Sequence, residues 1–419
     1  MTTRCTSPLW AAMLTIAAGA VQAQTEIKVA RVQPSDEEAA FNSAMAEAFE
    51  ESHPGTEVVF EYYAGEAYKS KLMTLLQSEA RPDIFFSWGG KTLVDQVGAG
   101  FTRPIDGLVG DEVLATFPPA AVEAYRVNGD LVGLPVFARA VVLWTNTELT
   151  DRAGVDHTAI GTWDEFLEAV GEVKAAGITP IVAGGQDKWP LHFWWSYLLL
   201  REGGPGVVAG AMEGDDFESE AFVAAGRDMA DLVALDPFQK GFMATTADSA
   251  SGFFGDGGGA FHLMGDWEYA ASKQRSTSGE GVPDKDLAIV TFPVIEDPVM
   301  PGGEDAVLGG INGWAVSNTA DDAAVEFLTF MLSPENQARA AEAEVYTPIV
   351  EGAAENLVNP FYREISGLIS DAGHFQVFLD QLLGVSVGST VNDVSADLAQ
   401  GTISPEDGAA AIQEAWDFR

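Results

Sequence analysis

The sequence predicts an α/β protein built as two lobes, and three observations support this prediction. The chain has 419 residues, more than a single hydrophobic core usually holds, so about two domains are expected. Apolar runs of strand length alternate with amphipathic helical segments, which is the α/β signature. Residues 128–146, NGDLVGLPVFARAVVLWTN, form an apolar run that bends at Gly133 and Pro135 and then resumes. Such a broken strand is typical of a chain that crosses between two lobes.

The first lobe is predicted from the segments that precede this strand. Ser35 and Glu38 form a capping box that opens a first helix, and a second amphipathic helix follows in the same alternation. The expected strands are residues 26–32, 57–62 and 84–88. Because ligands of open parallel sheets bind beyond the carboxyl ends of the strands, we expect the loop 87–91 to face a ligand.

The second lobe is predicted from a further alternation. Thr162 and Glu165 form a capping box, residues 178–183 and 260–264 are expected to be strands, and Asp266 is expected to be an N-cap. Ser333 and Ser404, each followed by Pro, are expected to open later helices. Residues 287–292 are interpreted as a return crossing to the first lobe, and residues 346–348 as a third crossing between the lobes. The pattern is helical from Phe361 onward.

These elements predict three crossings between the lobes. The first lobe is expected to comprise residues 24–137 plus 293–343, and the second lobe residues 138–292 plus 344–419, with a helical C-terminal segment.

Residues 1–23 are predicted to be a signal peptide. Arg4 supplies a positive n-region, residues 9–21 form a short apolar h-region, and residues 21–23, VQA, fit a cleavage site. The h-region is too short to span a bilayer, so export to the periplasm is expected. The sole cysteine, Cys5, precedes the h-region, so it is not expected to anchor a lipid at the cleavage point.

The charge balance is strongly acidic. With 22 Lys and Arg against 63 Asp and Glu, the formal net charge is −41. Such a surface repels the phosphates of nucleic acids and anionic lipids, so neither is expected as a partner. The acidic residues are spread over many predicted helices, which indicates a solubilising surface, as in a saline habitat, more than a binding tract.

Catalysis by a metal or by an activated nucleophile has no sequence support. The 5 histidines show no metal-ligand spacing, and neither HExxH nor GxSxG occurs. Residues 255–260, GDGGGA, superficially fit a dinucleotide fingerprint, but they lead into a predicted strand, so no helix N-terminus is expected to meet a pyrophosphate. We therefore expect no catalytic residue, cofactor or metal.

Seven segments, each present once, follow one another over nearly the whole chain. They are RPDIFFSWGG (81–90), GLPV with the following VVLWTNTEL (133–149), TWDEFLEAV (162–170), GAFHLMGDW (259–267), GGINGWAVSN (309–318), AVEFLTFMLSPENQ (324–337) and VNDVSADLAQGTISPEDGAAAIQEAW (391–416). The ordered set resembles the extracellular solute-binding proteins of ABC importers, in the carbohydrate-binding branch that includes maltose-binding protein.

The resemblance implies a type II periplasmic-binding-protein fold, with a sugar held in the cleft between the lobes. It also implies that the loaded protein, expected to be a monomer, docks on the membrane permease subunits of an ABC importer. The family's stacking aromatic residues fall on or beside Trp88 and on Trp267. Arg139 takes the place of a cleft-facing acidic residue of maltose-binding protein, a departure that argues against maltose as the ligand. Where that relative carries two aromatic residues, this chain has LLGV at 382–385, so the ring cluster at 189–195 is the expected replacement.

Sugars present apolar C–H faces and a rim of hydroxyls, so a binding cleft needs flat rings and polar side chains. Trp163 and Trp416 lie on apolar helical stripes and are assigned to the core. The predicted ligand contacts are Trp88, Arg139, Trp189, His192, Asp266, Trp267, Gly310, Asn312, Glu66 and Tyr68. Structural roles stay open for several of them: Asp266 as a helix cap, Asn312 and Gly310 as part of a turn, and His192 as a packed histidine.

The leading prediction is capture of a mono- or oligosaccharide for import. An exported glycoside hydrolase stays open, because two of the 63 acidic residues could flank a glycosidic bond. Binding of a polyamine, a glycerol-phosphate compound or another osmolyte also stays open, since Arg139 favours an anion whereas cleft carboxylates favour a cation.

Overall fold

The computed structural model describes residues 25–419, so the predicted signal peptide lies outside the described residues. The strands are β1 (Thr25–Val32), β2 (Thr56–Tyr63), β3 (Ile84–Ser87), β4 (Arg126–Val127), β5 (Asp130–Leu131), β6 (Gly133–Asn146), β7 (Phe261–Gly265), β8 (Leu287–Val290), β9 (Ala306–Val316) and β10 (His374–Val377).

The same residues form 18 α-helices and five short 3₁₀ helices. The α-helices are α1 (Asp36–Ser52), α2 (Gly65–Gln77), α3 (Gly90–Gly98), α4 (Asp111–Leu114), α5 (Pro119–Glu123), α6 (Thr147–Ala153), α7 (Trp163–Ala175), α8 (Trp189–Gly203), α9 (Val207–Gly214), α10 (Glu220–Ala234), α11 (Ala247–Gly255), α12 (Glu268–Arg275), α13 (Asp322–Met331), α14 (Pro334–Glu342), α15 (Pro360–Asp371), α16 (Leu379–Leu382), α17 (Gly384–Gln400) and α18 (Pro405–Asp417). Within residues 25–419, no helix combines the length and the apolar composition needed to cross a bilayer.

The strand β6 connects the sheets of the two lobes. The strands follow the order β2-β1-β3-β9-β6-β7, with β10 beside β9 and β8 beside β6. The first half of β6 pairs with β9, and its second half pairs with β7 and β8. All 14 residues of β6 are buried, because the strand has a partner and a covering layer along its whole length.

The side chains pack into two large hydrophobic cores. The first core gathers residues from 27–137 and 314–353, and the second gathers residues from 140–292, Ala306, Leu308 and residues from 361–416. The chain therefore passes between the cores within β6, within β9, and between Ala353 and Phe361. This arrangement confirms the α/β prediction of two lobes with three crossings.

Four local predictions differ from the structure. The third crossing, expected at residues 346–348, comes after Ala353, because residues 345–353 still pack in the first core. Residues 287–290 form β8, which pairs with the second half of β6, so the return crossing is made by β9. Residues 178–183, predicted to be a strand, form only isolated bridges, in which Ile181 pairs with Phe238 and with Phe261. No continuous ladder extends from these bridges. The helical C-terminal segment is interrupted by β10, which is too short for its periodicity to be recognised in the sequence. The lobe boundaries drawn from the sequence stay predictions.

Helix caps follow the sequence signals in most places. Thr162 and Glu165 form a complete capping box at the start of α7. Ser333 and Ser404 accept backbone hydrogen bonds at the starts of α14 and α18. Ser35 caps α1, but the carboxylate of Glu38 turns away to pair with Arg31. The helix starts are thus encoded locally, except where a side chain has a partner elsewhere.

Candidate ligand-binding cleft

The floor of the cleft is one face of the strands that join the lobes. Phe137 lies opposite Asn312, and Arg139 lies opposite Gly310, so these positions share a face of the β6–β9 pair. The guanidinium carbon of Arg139 lies 4.1 Å from the centre of the Phe137 ring. The ring of Phe378 packs over Gly310, where a Cβ atom would lie 2.8 Å from Cε2 of that ring. The absence of a side chain at Gly310 therefore allows an aromatic ring to rest on the floor.

The wall from the first lobe is Trp88, which follows directly after β3. Its ring is half-buried and makes edge-to-face contacts with Phe86 and Tyr68, at centroid distances of 5.2 and 5.6 Å. Tyr68 itself is 1% exposed, and its hydroxyl donates a hydrogen bond of 2.7 Å to the carbonyl oxygen of Phe86. Tyr68 thus packs against Trp88 inside the first lobe, and its hydroxyl already donates a hydrogen bond to the backbone of that lobe.

The wall from the second lobe is a cluster of four aromatic rings. Trp189 and Trp267 are half-buried with ring centres 6.2 Å apart, and Phe193 stacks on Phe378 at 5.2 Å. The helix α8 begins at Trp189, which leaves this ring at the edge of the lobe, whereas Trp194 and Trp195 point into the core and are fully buried. One helix thus divides the aromatic run of the sequence between the cleft and the core.

His192 lies behind this wall. Its side chain is 1% exposed, its ring is 4.9 Å from that of Phe193, and neither ring nitrogen has a hydrogen-bonding partner among the described residues. Burial lowers the pKa of His192 because the charged imidazolium would lose its hydration. The predicted ligand residue His192 therefore packs against the ring cluster and does not reach the cleft surface in this structure.

The two walls meet around Lys69 of α2. Its ammonium nitrogen lies 5.9 Å from the ring centre of Trp88 and 5.4 Å from that of Trp189, so the cation bridges aromatic rings of both lobes. It also lies 3.1 Å from the carboxylate of Glu66, which is exposed at the rim of the cleft. Glu66 was predicted from the sequence and Lys69 was not, since an amphipathic helix carries many solvated lysines.

The lobes touch at two further places. Gly90 has a positive φ of 60°, and a Cβ atom there would lie 2.9 Å from the carbonyl oxygen of Gln381 in the second lobe. Gln274 donates a hydrogen bond of 3.1 Å to Asp36 at the start of α1. The lobes therefore stand close together, and glycine at position 90 permits the approach.

Arg139 is paired with an acidic residue inside the protein. Its guanidinium donates a hydrogen bond of 2.8 Å to Oδ2 of Asp266, and the two side chains are 8% and 0% exposed. Burial raises the pKa of Asp266, and the charge of Arg139 limits that rise. The prediction of Asp266 as a helix cap is wrong: α12 begins at Glu268 with Trp267 at its N-cap and no side-chain cap. The carboxylate of Asp266 accepts a hydrogen bond from Arg139 and does not cap the helix.

A second ion pair occupies the first-lobe side of the floor. Arg31 and Glu38 are both buried and their charged atoms are 2.5 Å apart. The guanidinium carbon of Arg31 lies 5.6 and 5.5 Å from the ring centres of Phe86 and Trp314. This pair was not predicted from the sequence, although Arg31 lies between apolar residues near the carboxyl end of β1, where a charged side chain needs a partner.

Three polar atoms near the floor are buried without a hydrogen-bonding partner among the described residues. They are Oδ1 of Asp266, Oδ1 of Asn312 and Nε1 of Trp314. An unpaired buried polar group costs about 1–3 kcal/mol, so such groups are kept where something else satisfies them. Within residues 25–419, no group of three or more His, Cys, Asp or Glu side chains is arranged to hold a metal ion.

Comparison with known sequences identifies the family. The family model of the bacterial extracellular solute-binding protein matches residues 33–338. An uncharacterized ABC transporter extracellular-binding protein of Pyrococcus horikoshii is 23% identical over 62% of this chain and 60% of its own length. The xylose/arabinose-binding protein XacG of Haloferax volcanii is 26% identical over 50% of this chain. The chain spans 45% of the length of XacG, so the likeness covers only part of that relative.

Comparison with solved structures gives the same fold. A structure from a study of xylan utilization by the thermophilic bacterium Caldanaerobius polysaccharolyticus matches with a TM-score of 0.85 and 24% identity. The match covers 93% of this chain and 99% of that one. The type II two-lobe fold predicted from the sequence is confirmed by this agreement. Because the family model covers most of the chain, the protein belongs to the bacterial extracellular solute-binding protein family.

Proposed function

We propose that this protein binds a mono- or oligosaccharide in the cleft between its lobes and delivers it to the permease subunits of an ABC importer. The single observation that carries the proposal is the set of aromatic rings that converge from both lobes, with Trp88 on one side and Trp189 and Trp267 on the other. Flat rings of this kind cover the C–H faces of sugars. Relatives named as sugar-binding or xylose/arabinose-binding proteins support the same assignment.

The position of these rings on both lobes also couples ligand binding to closure of the cleft. A ligand that contacts Trp88 and Trp267 together interacts better with the closed lobes than with the open ones, so binding shifts the population toward closure. The acceptor atoms Oδ1 of Asp266 and Oδ1 of Asn312 are buried without a hydrogen-bonding partner among the described residues, and sugar hydroxyls are the proposed partners once a ligand enters the cleft. The proposed ligand contacts are therefore Trp88, Trp189, Trp267, Asp266, Asn312 and the backbone at Gly310, with Glu66 at the rim.

We further propose that the protein is not an enzyme and that it acts as a periplasmic monomer without nucleic acid partners. A glycoside hydrolase needs two carboxyl groups about 5–10 Å apart that are free to act on the glycosidic bond. The buried carboxylates at the floor, Glu38 and Asp266, are each paired with an arginine. The predicted signal peptide and the acidic surface, with a net charge of −41, fit an exported protein.

A thermal-shift screen tests the proposal. The purified mature chain would be melted with xylo-, cello-, chito- and malto-oligosaccharides, their monosaccharides, spermidine and glycerol 3-phosphate. We expect stabilisation by saccharides, since a ligand that binds only the folded state raises the melting temperature. Stabilisation by spermidine or glycerol 3-phosphate alone would contradict the proposal. Release of reducing sugar from a bound oligosaccharide would show that the protein is a hydrolase.

A further inference from the structure

We propose that the cleft selects its ligand by charge: it accepts uncharged, hydroxyl-rich saccharides and rejects sugars that carry a carboxylate or a phosphate. This inference rests on the proposed function and specifies its substrate class. It is derived from the partners of the cationic side chains in the cleft and from the two buried acceptor atoms at its floor.

The cations that the described residues bring to the cleft are already paired. Arg139 binds Asp266, and Arg31 binds Glu38, with all four side chains less than 9% exposed. A guanidinium that recognises an anionic ligand has to offer it a free pair of N–H groups. Here one N–H group of each guanidinium already donates to a carboxylate of the protein, so an anion that took both N–H groups would have to compete with a buried ion pair.

The remaining cation, Lys69, is surrounded by acidic groups and rings. Its ammonium is 3.1 Å from Glu66, and Asp187 faces it from the second lobe closely enough for the two charges to influence each other. The same ammonium lies between the rings of Trp88 and Trp189. Two carboxylates thus offset the charge of Lys69 and weaken its attraction for an anionic sugar.

The buried acceptors point to the same ligand class. Oδ1 of Asp266 is buried without a hydrogen-bonding partner within residues 25–419, and as an ionised carboxylate oxygen it can only accept hydrogen bonds. Oδ1 of Asn312 lies 3.1 Å from the Cβ position of Gly310, beneath the ring of Phe378, and is also unpartnered. Both atoms are covered by protein in this structure, and a sugar hydroxyl that reaches them when the covering side chains move can donate to either atom. An ionised carboxylate or phosphate oxygen cannot donate to these acceptors, and beside Oδ1 of Asp266 it would meet a like charge that the bond from Arg139 to Oδ2 only partly offsets.

Paired probes test the inference. Isothermal titration calorimetry would compare galactose with galacturonate, glucose with glucose 6-phosphate, and cellotriose with its C6-oxidised form. We expect the neutral member of a bound pair to bind about 100-fold more tightly, on the scale of a like-charge contact in a desolvated site. Equal or tighter binding of the anionic member would overturn the inference and leave the proposed function standing. A protein that binds no saccharide of either charge would overturn both.

Two variants test which carboxylates make the cleft discriminate against anionic sugars. Asp266→Asn releases Arg139 from its partner, and we expect the ratio of anionic to neutral affinity to rise about tenfold or more. Glu66→Gln, at the exposed rim, releases Lys69 without a change in a buried pair, and a smaller rise in the same direction is expected. The matched control is Asp236→Asn, which removes an exposed carboxylate paired with Lys174 and should leave the ratio unchanged. If Asp266→Asn lowers the melting temperature severely, Glu66→Gln alone decides: an unchanged ratio in that variant contradicts the inference.

Discussion

Single residues carry the chemistry of the cleft, and Arg139 is the most informative of them. In the sequence it is a lone charge inside an apolar strand, and such a charge needs either a buried carboxylate or a wet cavity. In the structure its partner is Asp266, and the pair lies beside the ring of Phe137. A residue that resembled an anion receptor is therefore an internal counterion, and this change of role alters the ligand class that is expected.

The rings of Trp88 and Trp267 give a direct prediction. Replacement of either one by Ala is expected to weaken saccharide binding by about 1–3 kcal/mol, because a flat apolar contact with the ligand is lost. Calorimetric titration of the variants with the saccharide found in the thermal-shift screen measures the effect. Phe418→Ala removes an aromatic side chain that is 83% exposed and serves as the control. Unchanged affinity in both tryptophan variants would exclude these rings from the site.

Two adjacent glycines of β9 are expected to respond differently to Ala. A Cβ atom at Gly309 would lie 2.0 Å from the backbone oxygen of Arg139, whereas one at Gly310 would meet the ring of Phe378 at 2.8 Å. Gly309→Ala should therefore destabilise the fold by about 1–3 kcal/mol or more, since two backbones have to separate. Gly310→Ala should displace the ring and mainly reduce ligand affinity.

Urea unfolding and calorimetric titration separate the two effects. Gly171→Ala is the control, because a Cβ atom within α7 meets nothing within 4 Å, and a small gain in stability is expected from the higher helix propensity of Ala. Equal losses of stability for Gly309→Ala and Gly310→Ala would contradict the proposed difference.

At the scale of elements, the helices α8 and α10 bring two acidic residues together. Burial, followed by the charge of Glu202, raises the pKa of Asp228 to about 8. In the unfolded chain an Asp has a pKa near 3.9, so between about pH 4 and pH 8 the folded state binds the extra proton. The stability contributed by protonated Asp228 is therefore lost as the pH rises through this range.

The variant Asp228→Asn tests this linkage. We expect its melting temperature to exceed that of the wild type by a margin that grows from pH 5 to pH 9, because the amide stays neutral throughout. Thermal unfolding at five pH values in constant salt measures the margin. Asp236→Asn, at an exposed carboxylate, should show no such trend. A constant margin for Asp228→Asn would mean that the carboxyl group is ionised over the whole range.

For the whole molecule, the contacts between the lobes determine whether the cleft can close. Gly90 allows α3 to approach Gln381, and Gly90→Ala would place a Cβ atom 2.9 Å from that carbonyl oxygen. We expect this variant to have a larger radius of gyration in the presence of saccharide and a weaker affinity, since the lobes cannot reach the same separation. Small-angle scattering and calorimetry are the measurements.

Gly100→Ala is the matched control for this variant. Gly100 also has a positive φ, of 74°, but a Cβ atom there meets nothing within 4 Å. It therefore carries the same backbone strain without a contact between the lobes. If both variants change the radius of gyration equally, strain near α3 is the cause and the contact with Gln381 does not limit closure.

Much of the fold was predictable from the sequence by itself. Strand and helix patterns, the capping box at Thr162, the bend at Pro135 and the order of the family segments depend on residues that are close in the chain, so local periodicity and propensity record them. These signals determined the α/β class, the two lobes and the crossing within β6. They also marked Trp88 and Trp267 as rings at the ends of elements, where a cleft can form.

The tertiary structure decided which side chains meet. The partners Arg139 and Asp266 are 127 positions apart, and Lys69 reaches rings from two lobes, so no local pattern records either arrangement. The place of the second crossing, within β9, was decided by strand pairing between distant segments. Such contacts depend on the three-dimensional packing of whole elements, and the charge character of the cleft follows from that packing and not from the residues taken one by one.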